Sequence, residues 1–446
     1  MFYRTAIGHL KAWANKENRK PLIIRGARQV GKTTVINMFS KEFNQYIYLN
    51  LDKPEELKLF ENDYSFQDLL MTLFLYANKK RKNGKTLIFI DEIQNSPNAV
   101  KNLRYFYEEA SDLYVVAAGS LLETLIDKKI SFPVGRVEYL AMRPCSFKEF
   151  LIACKEDESL SLIESNDIPE YAHDKLSSLI HQYIIIGGMP EIVNEYAKTK
   201  DITSLNDIYD GLITSYLDDV EKYASSESMV QYVRHIINNA FYEAGSRITF
   251  EKFGNSSYRS REMKEAFLTL QKTMLLNLVY PTNSNVLPLQ PNLKLKPRLH
   301  LLDTGLVNYV SGIQVELMQN KNINDLYRGK IAEHITGQEL LALNYSIQSK
   351  LNFWTREKAS SSAEIDYLYV LGENVIPIEI KSGAIGRLRS LHQFIDFSNN
   401  NVAIRFWSGK KSIEQAKTIT GKVFTLLNLP FYMISRIDKE LEIILD

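Results

Sequence analysis

Hydrophobic and polar positions follow two alternating patterns in the first third of the chain. Short apolar runs, rich in β-branched and aromatic residues, stand at residues 22–24, 46–49, 87–90 and 114–118. The stretches at residues 33–43 and 65–78 carry apolar side chains at helical spacing. Strands that alternate with helices are typical of parallel sheets packed against helices. We therefore predict an α/β fold for this region.

The pattern changes to helices with few strands from about residue 146 to residue 226, and a Gly-Gly-Met-Pro break interrupts them at residues 187–190. Residues 227–290 then read as a helix, a turn-rich segment, a second helix and a strand. This order suits a winged helix-turn-helix, although many helical subdomains share it.

The last part of the chain returns to mixed α/β patterning. A helix is predicted at residues 329–343, followed by strands at 352–354, 364–371 and 375–381, a helix at 388–397 and a strand at 402–407. We predict a P-loop ATPase core at residues 1–155, a helical lid at 156–226, a winged-helix-like unit at 227–300 and an α/β domain at 301–446.

Composition restricts the class of protein. The 446 residues are 45% hydrophobic and 24% charged, and 54 basic residues nearly balance 53 acidic ones. These values are typical of a soluble globular protein and exclude a polybasic nucleic-acid coat. Two cysteines and the lack of a signal peptide or of an apolar run of membrane-spanning length predict a cytoplasmic protein without a membrane partner.

A phosphate-binding motif follows the first predicted strand. Residues 26–33 fit G-x-x-x-x-G-K-[ST] at every fixed position and open a predicted helix, which is the context this motif requires. Glycines let the backbone N–H groups turn toward phosphate oxygens, and the helix N-terminus adds partial positive charge. We predict that ATP is held by Gly26, Ala27, Arg28, Gln29, Val30, Gly31, Lys32, Thr33 and Thr34.

Two carboxylates end the strand at residues 87–90. Asp91 and Glu92 stand where a Walker B site requires acids. We predict that Thr33 and Asp91 hold Mg²⁺ and that Glu92 activates the attacking water, while Lys32 binds the β- and γ-phosphates.

Three further residues are candidates for contact with the γ-phosphate. Ser120 follows the strand at residues 114–118, where a polar side chain reaches the phosphate in related ATPases; a simple turn explains it equally well. Arg136 is the first candidate for neutralising transition-state charge, in cis or from a neighbouring subunit, and Arg143 is the second.

The sequence resembles a family of prokaryotic AAA-type ATPases over nearly its whole length. The resemblance includes the segments at residues 23–34 and 89–94, Gly-Arg-Val-Glu at 135–138 and Pro-Cys-Ser-Phe-Lys-Glu-Phe at 144–150. It continues through Gly-Gly-Met-Pro-Glu at 187–191 and Leu-Asp-Thr-Gly-Leu at 302–306. The resemblance implies an AAA+ core, a helical and winged-helix middle and a carboxyl-terminal domain related to the PD-(D/E)XK nucleases.

A second group of carboxylates stands near the carboxyl end. If the strands at 364–371 and 375–381 form a hairpin around Gly372-Glu373, then Asp366 lies opposite Glu379, and Lys381 shares their face. Two carboxylates and an ammonium so placed are able to hold Mg²⁺ or Mn²⁺ and to assist a metal-activated water.

The carboxylate arrangement resembles the D…(D/E)-x-K signature of restriction-endonuclease-like folds. Those folds often add a carboxylate from the preceding helix, a role that Glu333 is placed to fill, although Ile365 replaces the proline of the signature. Basic residues able to follow a phosphate backbone are Arg387, Arg389, Arg405, Lys410 and Lys411.

Taken together, the sequence predicts a Mg²⁺-dependent ATPase whose core controls a nuclease-like domain, with DNA or RNA as a candidate partner. Two alternatives stay open. One is an ATP-dependent switch that binds a protein partner through a catalytically silent nuclease fold. The other is an ATP-driven remodeller that binds DNA without cutting it. The oligomeric state is not predicted.

Overall fold

The amino-terminal sheet has five parallel strands. We describe a computed structural model, which covers residues 2–62, 64–81, 84–119, 133–165, 167–319, 329–358, 361–381 and 388–445. The strands are β1 (Leu22–Arg25), β2 (Gln45–Asn50), β3 (Thr86–Asp91), β4 (Tyr114–Gly119) and β5 (Glu138–Ala141). Their order is β2-β3-β4-β1-β5, with every neighbouring pair parallel. The carboxyl ends of β1 and β3 therefore lie at one edge of the sheet, on either side of β4.

Helices cover both faces of this sheet, which confirms the predicted α/β fold. They are α1 (Ala6–Ala14), α2 (Lys32–Phe39), α3 (Pro54–Glu61), α4 (Phe66–Tyr76) and α5 (Pro97–Glu109). Alternate strand residues enter different cores, because successive side chains of a strand point to opposite faces. Ile23 and Ile88 belong to one core, and Ile24 and Phe89 belong to the other. The helix predicted at residues 33–43 ends at Phe39 and continues as a 3-10 turn.

The middle of the chain is helical. Its helices are α6 (Phe147–Cys154), α7 (Asp157–Glu164), α8 (His173–Ile186), α9 (Pro190–Thr199), α10 (Asn206–Asp218), α11 (Val220–Tyr223), α12 (Glu227–Ala240) and α13 (Ser260–Lys272). Ser146 and Glu149 form a capping box that fixes the start of α6. Pro190 occupies the first turn of α9, where its missing N–H costs nothing.

An antiparallel strand pair follows α13. The strands β6 (Leu276–Val279) and β8 (Arg298–Leu301) pair directly, and the short β7 (Pro281–Thr282) between them joins the carboxyl-terminal sheet instead. Helices α14 (Thr304–Val310) and α15 (Gln314–Gln319) come next.

The carboxyl-terminal sheet has seven strands in the order β13-β14-β12-β11-β10-β9-β7. Beyond β7 these are β9 (Asn352–Lys358), β10 (Ser361–Leu371), β11 (Asn374–Lys381), β12 (Val402–Trp407), β13 (Ser412–Lys417) and β14 (Val423–Pro430). Helix α16 (Lys330–Ala342) precedes β9, α17 (Arg389–Phe397) connects β11 to β12, and α18 (Ile437–Leu445) follows the sheet. The pairs β9–β10 and β10–β11 are antiparallel, whereas β11–β12 is parallel.

One hydrophobic core joins the middle of the chain to the carboxyl-terminal sheet. It extends from Cys145 through Tyr183, Phe267 and Ile378 to Leu441. The other face of the sheet packs against α17 through a separate cluster that includes Phe394. The predicted boundaries at residues 226 and 300 thus cross a shared core, so these regions are coupled by packing.

Candidate nucleotide site and carboxylate cluster

The segment between β1 and α2 has the backbone of a phosphate-binding loop. Gly31 precedes α2 with a φ of 91°, in the left-handed region that glycine tolerates best, and Gln29 has a φ of 63°. A Cβ atom on Gly26 would lie 2.4 Å from the carbonyl oxygen of Met142. Both glycines are therefore needed for the loop to close against β5 and present the start of α2.

Lys32 is held inside the loop. Its ammonium donates to the carbonyl oxygens of Gly26 at 3.0 Å and Ala27 at 2.9 Å. Burial lowers the pKa of Lys32, and the nearby carboxylates of Glu92 and Asp91 oppose that shift. A buried ammonium bonded by loop carbonyls is positioned to exchange those bonds for phosphate oxygens.

The hydroxyl of Thr33 meets the carboxylate of Asp91. Thr33 Oγ1 donates to Asp91 Oδ2 at 2.6 Å, and Tyr48 OH lies 3.4 Å from the same oxygen. The hydroxyl and the carboxylate are hard oxygen ligands at one point, which is what Mg²⁺ prefers. The pair connects the first turn of α2 to the carboxyl end of β3.

Glu92 stands one residue beyond Asp91 in a left-handed conformation, with a φ of 50°. Its Oε2 accepts a hydrogen bond of 2.5 Å from Gln94 Nε2. Burial raises the pKa of Glu92, and the Gln94 hydrogen bond opposes this. The carboxylate lines the same cavity as Lys32 and Thr33, which suits a base acting on water.

A cavity of about 590 Å³ lies over the loop. Its walls include six of the nine predicted nucleotide-binding residues, namely Arg28, Gln29, Gly31, Lys32, Thr33 and Thr34. Gly26 and Ala27 bind Lys32 from beneath, while the Val30 carbonyl accepts from Arg4 Nη1 at 3.1 Å. Arg28 forms a hydrogen-bonded ion pair with Asp219. The hydrogen bond to Asp219 raises the pKa of Arg28.

Sequence reasoning missed the opposite wall of this cavity. Phe2 and Arg4 enter from the amino-terminal segment, and Pro190, Glu191 and Asn194 come from the first turns of α9. The Gly-Gly-Met-Pro break was visible as a motif, but only the folded chain brings it to the phosphate loop. Arg4 is deeply buried and pairs with Glu149 at 3.0 Å.

Of the three further candidates for contact with the γ-phosphate, Arg136 and Arg143 lie at opposite edges of the sheet. Glu138 pairs with Leu22 at the start of β1, so Arg136 lies beyond the edge of the sheet opposite the loop. The four residues of β1, at about 3.3 Å each, separate that edge from the edge at which the loop begins. The guanidinium of Arg136 also forms an ion pair of 2.9 Å with Glu108. In this structure Arg136 therefore lies away from the loop, and its roles in cis and in a neighbouring subunit both stay predictions.

Arg143 lies at the correct edge, because Ala141 pairs with Arg25 at the end of β1. Its carbonyl oxygen accepts from Arg4 at 2.8 Å, and burial lowers the pKa of its guanidinium to about 10. Ser120 lies outside the described residues.

The hairpin of β10 and β11 has the predicted register. Leu371 pairs with Asn374 and Tyr367 with Ile378, and Asp366 and Glu379 are the next residues beyond the Tyr367–Ile378 pair. Asp366 Oδ2 accepts the Ile380 N–H at 2.7 Å, and Lys381 Nζ lies 2.7 Å from Glu379 Oε1. Glu379 Oε2 is buried, and no residue in the described ranges donates a hydrogen bond to it.

Glu333, in the first turn of α16, interacts electrostatically with Asp366 and Glu379. Burial raises the pKa of Glu333 to about 8 and that of Glu379 to about 7, and in both cases the charge of Asp366 adds to the shift. Burial also raises the pKa of Asp366. Negative charges on the three carboxylates repel one another, so all three are ionised together only when nearby cations balance their charge.

Arg298 and Glu364 are part of the cluster, and sequence reasoning missed both. Arg298 Nη1 lies 3.4 Å from Glu333 Oε2 and donates to the Asp366 carbonyl oxygen at 2.9 Å, while Nη2 pairs with Glu364. The guanidinium lies 4.6 Å from the ring centre of Phe353. No three His, Cys, Asp or Glu side chains of the described residues form a ready metal site.

The basic residues predicted to follow a phosphate backbone have different surroundings. Arg405 is beside Glu379 in the register of β11 and β12 and lies over Trp407. Lys410 pairs with Glu170, and Lys411 lies 2.5 Å from Glu440. Arg389 begins α17, and Arg387 lies outside the described residues.

Comparison with protein families places an ATPase domain on the first part of the chain. A model described as an AAA domain matches residues 18–151. Two models described as domains of unknown function, DUF8612 and DUF4143, match residues 177–317 and 328–432. Comparison with curated proteins gives no match. Together with the loop and Walker B geometry, the first match identifies an AAA-type P-loop ATPase domain.

Three solved structures of low sequence identity are similar to this chain. The Walker-type ATPase PABY2304 of Pyrococcus abyssi is 15% identical, with a TM-score of 0.45, over 70% of this chain and 96% of its own. Aeropyrum pernix ORC1 in complex with DNA is 14% identical, with a TM-score of 0.28, over 72% and 95%. The Thermotoga maritima RuvB branch migration motor is 15% identical, with a TM-score of 0.28, over 62% and 90%.

Among the helices in the described part of the chain, none has the length and apolar character that crossing a bilayer requires.

Proposed function

We propose that the protein binds Mg²⁺-ATP in the cavity above the loop and hydrolyses it, and that the nucleotide state governs a nuclease-like carboxyl-terminal domain. The observation that carries the ATPase half is the 2.6 Å bond between Thr33 and Asp91, with Glu92 lining the same cavity. Thr33 lies in the first turn of α2, whereas Asp91 and Glu92 stand at the end of β3, so two separate elements meet above the loop.

Each residue has a separable task in this scheme. Lys32 exchanges its loop carbonyls for phosphate oxygens, and the α2 N-terminus adds its N–H groups. Thr33 and Asp91 would hold Mg²⁺, which neutralises phosphate charge when bound. Glu92 accepts a proton from the attacking water, a role that its raised pKa suits.

Steady-state hydrolysis tests the ATPase proposal. Lys32→Ala should remove Mg²⁺-dependent phosphate release, because it removes the buried ammonium. Lys41→Ala, at an exposed position just beyond α2, is the matched control and should keep wild-type turnover. Equal turnover in all three proteins would refute the assignment.

The carboxyl-terminal half supports the nuclease-like proposal through its topology and its acids. Helix α16, strands β9, β10 and β11, helix α17 and strand β12 follow one another in a mixed sheet. An αβββαβ unit with acids on the central hairpin is the arrangement that the resemblance to PD-(D/E)XK nucleases implies. Asp366 and Glu379 are the proposed metal ligands, with Glu333 beside them.

The donor set fits a divalent cation in its chemistry. Glu379 has a buried carboxylate oxygen that is bonded to none of the residues the structure describes, and burial raises the pKa values of Glu333, Asp366 and Glu379. A bound Mg²⁺ or Mn²⁺ would favour their ionised forms and polarise a substrate or water oxygen. Lys381, a third exposed, is placed to stabilise the developing charge.

Cleavage assays test the nuclease proposal. The wild type with Mn²⁺ should cut DNA or RNA, and Lys381→Ala should lose that activity. Lys417→Ala, on the exposed strand β13 of the same sheet, should cut like the wild type. Absence of cleavage by the metal-loaded wild type on single- and double-stranded DNA and RNA would reject it.

A silent nuclease fold that works as a regulatory switch is the second candidate. The internal ion pairs favour it, since Arg298 and Lys381 supply positive charge to Glu333 and Glu379 from within the chain. This reading predicts a folded protein that hydrolyses ATP, cuts no nucleic acid and binds Mn²⁺ no more tightly than Glu379→Gln does.

The helix pair α12 and α13 with the strands β6 and β8 is a candidate docking surface for nucleic acid, as a winged helix would be. Binding should weaken steeply with salt, because phosphate contacts release counterions. Binding that ignores salt, or no binding at all, would eliminate this part of the proposal.

A further inference from the structure

Three sequence motifs without an assigned role meet at one buried place. They are the segment at residues 144–150, the glycine turn at 187–190 and the segment at 302–306. The Asp303 carboxylate is the centre: it accepts the Gly188 N–H at 2.6 Å and, as the N-cap of α14, the Leu306 N–H at 3.1 Å. We name this group, with Tyr183, Gln338 and Glu339, the Asp303 junction.

Glycines allow the motifs to touch backbone to backbone. A Cβ atom on Gly187 would lie 2.2 Å from Asp303 Oδ1, and one on Gly188 would lie 2.1 Å from the Cys145 carbonyl oxygen. A Cβ atom on Gly305 would lie 2.0 Å from the Ile186 carbonyl oxygen. Contacts this close leave little room for one segment to move without the others.

A first connection runs from the nucleotide cavity to α16 through Asp303. Pro190, two residues beyond Gly188, begins α9 and lines the cavity. Gln338 Nε2 donates to Asp303 Oδ2 at 3.2 Å, and Gln338 Oε1 accepts from the Thr304 N–H at 2.8 Å. The turn that carries the cavity wall is thus bonded to a side chain of α16 through one carboxylate.

A second connection starts at the phosphate loop itself. Arg4 donates to the Val30 carbonyl oxygen and pairs with Glu149, the capping residue of α6. The first N–H of α6, from Phe147, donates to Glu339 Oε1 at 3.0 Å. This connection therefore ends on the residue next to Gln338.

Tyr183 joins the two connections. Its hydroxyl lies 2.7 Å from both the Cys145 carbonyl oxygen and Glu339 Oε1, and it accepts from Gln338 Nε2 at 3.1 Å. One hydroxyl proton serves two acceptors, so two hydrogen-bond arrangements are available. Burial raises the pKa of Asp303 to about 6 and of Glu339 to about 7, which marks both as costly to keep ionised.

We propose that the Asp303 junction transmits nucleotide occupancy from the phosphate loop and α9 to α16, and that Gln338 is the positioning residue through which α16 responds. Glu333 stands five residues before Gln338 on the same helix, about 7.5 Å along its axis. A shift of α16 therefore moves Glu333 relative to Asp366 and Glu379. The inference rests on the proposed nucleotide control of the carboxyl-terminal domain and names its physical route.

Hydrogen–deuterium exchange of the full chain tests the route without requiring cleavage. The probe is the magnesium complex of the non-hydrolysable β,γ-imido analogue of ATP. In the wild type, the analogue should slow amide exchange in the phosphate loop and change it in residues 330–342 by at least about fivefold, the lower end of allosteric couplings.

The variant Gln338→Met tests whether α16 responds to the nucleotide through the hydrogen bonds of Gln338 and not through the packing of its side chain. It keeps the side-chain length but removes the hydrogen bonds to Asp303, Thr304 and Tyr183. The loop should therefore still gain protection, while residues 330–342 no longer respond. Gln290→Met, at an exposed position, should behave as the wild type does. Asp303→Asn is the second variant, and it should weaken the response of α16 because it replaces the carboxylate that joins Gly188 to Gln338.

Two results would overturn the inference. One is an α16 that exchanges equally with and without analogue in the wild type although the loop is protected. The other is a full α16 response in Gln338→Met. If Gln338→Met does not fold, the wild-type comparison and Asp303→Asn decide. Failure of the proposed nuclease function is distinguishable, because a protein that cuts nothing still shows or lacks this response.

Discussion

The two carboxylate sites of the molecule have similar parts in different electrostatic surroundings. Asp91 accepts a hydrogen bond from Thr33, and Glu92 lines the cavity of about 590 Å³ together with Thr33 and Lys32. Asp366, Glu379 and Glu333 stand beside one another, with Lys381 and Arg298 as internal cations. Asp91 and Glu92 each accept a side-chain hydrogen bond, whereas no described residue donates one to Glu379 Oε2. We therefore expect a bound cation to stabilise the ionised carboxylates of the second site more than those of the first.

The largest expected effect is a difference in ATP turnover between a variant of the first site and a variant of the second. Glu92→Gln should reduce ATP turnover by about 10²-fold or more, since a positioned base contributes at least that much, while nucleotide affinity stays near the wild-type value. Glu379→Gln should leave turnover within about twofold, because Glu379 is not among the residues that line the nucleotide cavity. Phosphate release measured with both variants makes the comparison, and equal losses would contradict it.

Metal affinity gives the next largest effect. Because raised pKa values keep the acids protonated, binding of Mn²⁺ to the carboxyl-terminal cluster should release protons and tighten from pH 6 to pH 8. Calorimetry in two buffers of different ionisation enthalpy measures the released protons. Asp366→Asn should weaken binding at pH 8 by about tenfold or more. Affinity independent of pH would show that the acids are not the ligands.

Stability in the absence of metal should fall as pH rises. Glu333, Asp366 and Glu379 have higher pKa values folded than unfolded, so the folded state binds more protons between about pH 4.5 and pH 8. The free energy of unfolding should therefore decrease over that interval. Glu379→Gln should remove about 1–3 kcal/mol of the decrease, since each pKa unit corresponds to 1.36 kcal/mol. Urea unfolding at pH 6 and pH 8 measures it; an unchanged slope in the variant would contradict the assignment.

The sequence predicted much of the first site because its parts are local. The loop is one continuous segment between a strand and a helix, and Asp91 and Glu92 directly follow an apolar strand. The hairpin register was also predictable, since a tight turn fixes which residues of two consecutive strands pair. In each case, short-range geometry determined the result.

What the sequence did not predict depends on how distant segments meet. Arg4, Pro190 and Asn194 reach the nucleotide cavity from segments far from the loop, and Arg298 reaches Asp366 across 68 residues. Arg136 looked suitable as a finger, but its position followed from the register of β5 against β1. Such contacts arise from tertiary packing, for which no local pattern exists.

The smallest expected effect concerns two arginines. Arg28 lines the cavity, so Arg28→Ala should raise the KM for ATP by about tenfold, as loss of a charged hydrogen bond does. Arg136→Ala breaks an exposed pair with Glu108 and should change turnover of the isolated protein by less than about twofold. A large loss in Arg136→Ala that grows with protein concentration would instead place Arg136 in a neighbouring subunit's cavity.

Calorimetric titration of Mg²⁺-ATP analogue into the wild type and Lys32→Ala tests the central claim most directly, because it measures occupancy of the cavity and nothing downstream. The structure predicts saturable binding of one analogue per chain in the wild type and no measurable heat of binding in a folded Lys32→Ala. Absence of binding by the folded wild type, or equal binding by both proteins, would contradict the account.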